Sequence, residues 1–62
     1  MYFEIFKNDH LKKFWWVIKS NGNHETMAQS ELLSSKQACL DAIRKIVNES
    51  VQAVCYDRTL EN

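Results

Sequence analysis

Sixty-two residues leave room for one domain, 1–62, and no linker, and a chain this short buries only about 60% of the surface its unfolded form exposes. Eight acidic and eight basic residues balance to a formal net charge of zero, so no global field draws nucleic acid or an anionic membrane. No apolar run approaches the roughly 20 residues of a spanning helix, and Met1-Tyr2-Phe3-Glu4-Ile5 lacks the basic-then-apolar order of a signal peptide. The two cysteines then read as reduced thiols in a cytoplasm, which sets aside a Cys39–Cys55 disulfide.

Tyr2 to Lys7 is rich in aromatic and β-branched residues and ends at the turn formers Asn8-Asp9-His10, which predicts a first strand. Lys13 to Lys19 predicts a second, because Phe14, Trp15, Trp16, Val17 and Ile18 all suit a pleated surface. Asn21-Gly22 follows as a hairpin signal, with a loop that can extend through Asn23, His24 and Glu25. Thr26 to Ser30 is the return strand that a hairpin needs.

The period then changes. Ser34, with Gln37 three residues on and an apolar-periodic run behind, reads as a capping box. From Ser35 to about Asn48, Cys39, Ala42, Ile43, Ile46 and Val47 recur at spacings of three and four and give one apolar stripe. Asp41 and Lys45, four apart, suggest a supporting ion pair. Val51 to Tyr56 predicts a final strand, and Asp57 to Asn62 a polar tail. The expected fold is α+β, a β-β-β-α-β unit with one helix on one face of an antiparallel sheet.

That order, with Phe3-Glu4-Ile5-Phe6-Lys7, Phe14-Trp15-Trp16-Val17-Ile18-Lys19, Asn21-Gly22 and Ser34-Ser35-Lys36-Gln37-Ala38-Cys39-Leu40, resembles the YegP-like family of small bacterial and archaeal proteins. The resemblance implies two units joined in one continuous sheet with exchanged C-terminal strands, as tandem repeats or as two chains. With one unit here, it implies a homodimer with Val51–Tyr56 swapped. The family's role is unassigned, so no catalytic residue carries across. Open strand edges and a bare sheet face make a dimer reasonable on physical grounds as well.

Strand alternation puts Phe14, Trp16 and Ile18 toward the helix and Trp15 and Val17 on the other face. The family pattern often has arginine at those two outer positions, whereas this chain has apolar side chains. With Tyr2 and Phe6 beside them, Trp15 and Val17 form a candidate interaction surface. Lys7, Lys13 and Lys19 are long enough to cover it.

Candidate chemistry is thin. His10 and His24 fall in turns away from any metal-ligand spacing, and Cys39 and Cys55 suit packing. Ser34 and Ser35 lack a nucleophile elbow. No catalytic residue, metal site or cofactor is expected, and no enzyme. The expectation is a cytoplasmic, homodimeric, non-catalytic module that binds another protein through its open sheet face. The alternative is single-stranded nucleic-acid binding on the same aromatics, helped by Lys7, Lys12, Lys13 and Lys19 against Glu4 and Asp9 in the first 19 residues.

Overall fold

A computed structural model describes residues 1–59 of the chain. Three strands, β1 (Tyr2–Asn8), β2 (Lys13–Lys19) and β3 (Thr26–Gln29), form an antiparallel meander in the order β1-β2-β3. The helix α1 (Lys36–Glu49) follows and runs directly into a short 3-10 turn, Ser50–Gln52. The fold class is therefore α+β, with both β1 and β3 as sheet edges.

The β1–β2 ladder is regular from Tyr2 opposite Lys19 to Asn8 opposite Lys13. Asp9–Lys12 close it, with the Asn8 side chain accepting from the Leu11 amide at 3.0 Å and Lys12 in the left-handed region at φ 55°. The β2–β3 ladder is interrupted twice. Ile18 faces Ala28 and Lys19 faces Thr26, which leaves Met27 as the extra residue of a bulge, 60% exposed. Farther along, the Ser30 amide donates to the Trp16 carbonyl, the Ser30 hydroxyl accepts from the Trp16 amide at 3.0 Å, and Leu33 rejoins the sheet opposite Phe14. Glu31 and Leu32 thus oppose the single residue Trp15. That second pairing was not visible in the sequence, because the polar run Ser30-Glu31 reads as the end of a strand.

The Asn21-Gly22 pair does not make a tight hairpin turn. Ser20–Glu25 form a six-residue loop held by Ser20 and Glu25 backbone groups at 2.9 Å, and Gly22 does not adopt positive φ. His24 takes the left-handed conformation instead, at φ 57°. Its amide donates to the Ser20 carbonyl, and its ring Nδ1 lies 2.9 Å from the Tyr2 hydroxyl. The loop is pinned to β1 by that contact.

The helix start shifts by one residue from the expected one. Ser35, not Ser34, is the N-cap, with extended backbone and its hydroxyl accepting from the Ala38 amide at 3.0 Å. The capping box does not form, since the Gln37 amide nitrogen donates down the helix to the Asp41 carboxylate at 2.9 Å. The Asp41–Lys45 ion pair that their spacing suggested does not form. Among the described residues the ion pairs are Lys7–Asp9 and Lys19–Glu4.

Along α1 the apolar stripe is real, but its burial is graded. Cys39 is fully buried, Ala42, Ile43 and Ile46 are half-buried, and Val47 is 51% exposed. The helix packs across β2 and β1. By the ladder register, Phe3, Ile5, Phe14, Trp16, Ile18 and Ala28 share one sheet face. There Phe3 and Trp16 meet edge to face at 6.4 Å, and the Lys7 ammonium caps the Phe14 ring at 5.8 Å.

The expected fourth strand does not form in the single chain. Val51 and Gln52 belong to the 3-10 turn, and Ala53 onward has no ladder. A strand is defined by hydrogen bonds to a neighbour, and no other described segment pairs with this one as a strand. Every described residue from Val51 is exposed, with Val51 at 89%, Val54 at 70% and Tyr56 at 71%. The Asp57–Asn62 tail is described only to Thr59, where Asp57 accepts from the Thr59 hydroxyl and amide. Those bonds hold the Asp57 carboxyl below its ordinary range.

The result is an extended molecule. Its Cα radius of gyration is 14.1 Å, with extents of 45 × 26 × 23 Å, against about 11 Å for a compact chain of this length. The only buried hydrophobic residues described are Val17 and Cys39, and of these Cys39 alone is fully buried. A domain of this size normally closes more of its core than that.

Candidate interaction surface

Even positions of β1 and odd positions of β2 share the face turned away from the apolar set. The register therefore brings Tyr2, Glu4, Phe6, Lys13, Trp15, Val17 and Lys19 onto one surface. All four residues singled out from the sequence lie on it. They do not form one patch.

Phe6 and Trp15 are directly cross-strand, and their rings stack at 5.4 Å with planes 22° apart. Phe6 remains 39% exposed and Trp15 half-buried, so the pair presents an apolar plate at one end of the sheet. Four residues earlier in β1, about 13 Å along the strand, Tyr2 turns its hydroxyl to His24, and the two rings meet edge-on at 5.9 Å. Between the two ends lies the Glu4–Lys19 ion pair at 3.8 Å, with both side chains partly exposed.

Val17 adds no accessible surface, at only 5% exposed. Its neighbours on this face are Trp15 and Lys19 along β2, Glu4 on β1 and Gln29 on β3. All four are longer than valine, so in the central strand they close over it. The usable apolar surface is thus the Phe6–Trp15 pair. Lys19 does lie across this face as its length suggested, whereas Lys7 sits over Phe14 on the opposite one.

The remaining candidates stay apart. His10 is an exposed residue of the β1–β2 turn, and His24 is engaged with Tyr2. Among the described residues, no group of three or more His, Cys, Asp and Glu side chains is placed to hold a metal ion. Burial pushes the Cys39 thiol above its ordinary value. Cys55, expected to pack on a strand, is exposed because that strand has no partner within the chain. No helix among the described residues is long and apolar enough to cross a membrane.

Sequence reasoning missed one further surface. Ala42, Ile46, Ala53 and Val54, rimmed by Lys45 and Glu49, line an open apolar groove of about 740 Å³ between the end of α1 and the segment after it. Reading Val51–Tyr56 as a strand concealed this groove, which exists only because Ser50–Gln52 turn the chain.

Ladder, helix and open face together define a small α+β domain, a three-stranded antiparallel meander carrying one helix. Residues 9–57 match the family model described as a domain of unknown function, DUF1508. The chain is 46% identical over 43 residues to the UPF0339 protein NMB1088 of Neisseria meningitidis serogroup B (strain ATCC BAA-335 / MC58). It matches the UPF0339 protein NMA1193/NMA1859 of serogroup A (strain DSM 15465 / Z2491) at the same identity over the same length. Each match covers 69% of this chain and 73% of the relative. The chain belongs to the DUF1508 family, the YegP-like group that its sequence resembles. No solved structure matches it.

Proposed function

We propose that this protein is a homodimeric, non-catalytic interaction module of the cytoplasm, in which the segment after α1 pairs with the sheet of a second copy. The observation that carries the reading is the state of Val51–Tyr56. It is apolar in five of six positions, wholly exposed, and without a ladder partner in its own chain. The sheet offers free edges at β1 and β3, and unpaired backbone at such edges is a template for an added strand. Ala53 is already extended, at φ −66° and ψ 141°.

Burying Val54 and Tyr56 against a partner would contribute about 1.5–3 kcal/mol for each side chain, twice per dimer. The test is sedimentation equilibrium or light scattering of the wild type beside Val54→Asp and Tyr56→Asp. A wild-type dimer is expected, with its dissociation constant raised on the order of 100-fold in either variant. A wild-type monomer at high micromolar concentration would overturn the reading, as would a dimer indifferent to both changes.

In such a dimer the Phe6–Trp15 plate remains on the outer face, and we take it as the docking position for another protein. Single-stranded nucleic acid is the second reading, because a stacked aromatic pair with Lys13 on the same face suits base stacking. Zero net charge and the neutralised Lys19 weigh against it. Titrating an oligonucleotide at low and at moderate salt separates the two, since phosphate contacts lose affinity steeply as salt rises. Absence of binding at low salt removes the nucleic-acid reading.

A further inference from the structure

We draw no further inference here: the strongest candidate, the apolar groove between the end of α1 and Ser50–Val54, has as one wall the very segment that the proposed dimer would redeploy, and nothing in the structure shows what else would cover it.

Discussion

Lys13–Lys19 and Val51–Tyr56 have nearly the same composition, with five apolar residues of seven in the first and five of six in the second. One is the central strand of the sheet, and the other lies exposed without a ladder. The difference is in their neighbours. Four turn residues, Asp9–Lys12, fold β1 back along β2, and the 20–25 loop returns β3 on its other side. After α1 the chain instead continues through a 3-10 turn and meets no strand. Apolar content supplies a reason to be buried, but a strand also needs a partner within reach for its N–H and C=O groups.

The largest expected effect tests the ladder side of this comparison. Trp16→Ala removes the central aromatic of the apolar face, at a cost of about 3–5 kcal/mol. That is comparable to the whole stability of so small a domain, and loss of a cooperative thermal transition in circular dichroism is the expected result. A normal transition would mean that the Phe3–Trp16 contact contributes little.

Thiol labelling sharpens the same contrast. In dilute protein Cys55 should react completely before Cys39 does, because Cys39 is buried and its thiol is held protonated. Cys55 should become protected as the protein concentration rises, if the segment finds a partner. Equal labelling of the two cysteines would break the distinction. The raised Cys39 value also gives a sign for stability. Its contribution is complete below the ordinary thiol value of 9.0 and falls as pH rises beyond it, since the unfolded chain then loses its proton first. A urea midpoint followed from pH 7 to 10 should stay flat with respect to this group and then decline.

The helix start gives a smaller effect with a clear control. Ser35→Ala should cost about 1 kcal/mol, whereas Ser34→Ala should stay within about 0.5 kcal/mol. Paired melting temperatures check this, at roughly 4–8 °C per kcal/mol for domains slightly larger or of similar size. The reverse order would restore Ser34 as the cap.

An effect on folding comparable to that of Ser35→Ala is expected at Trp15. Trp15→Arg gives up the stack with Phe6, about 0.5–1.5 kcal/mol, and keeps the ladder. It should leave the dimer intact in light scattering while abolishing capture of a protein partner by affinity purification and mass spectrometry. Capture unchanged from wild type would remove the docking role.

The first two strands and the helix were legible in the sequence because local signals agree there, and the third strand followed only from the need for a hairpin return. Aromatic and β-branched runs stand between turn formers, and the Cys39–Ile46 spacing has a helical period. The two faces of the sheet were legible too, since alternation alone sends Trp15 and Trp16 to opposite sides. Tertiary contacts decided the rest. Ser35 rather than Ser34 caps the helix because only its hydroxyl meets a free amide, and Gln37 and Asp41 bond each other instead of the partners their spacing suggested. Leu33 returns to Phe14 past a bulge that no periodicity announces. Val17, an apolar residue on the outward face, is hidden by four longer neighbours from three strands. Periodicity reports what a segment would bury. Which groups lie opposite it is a property of the folded chain, and for Val51–Tyr56 the single chain provides none.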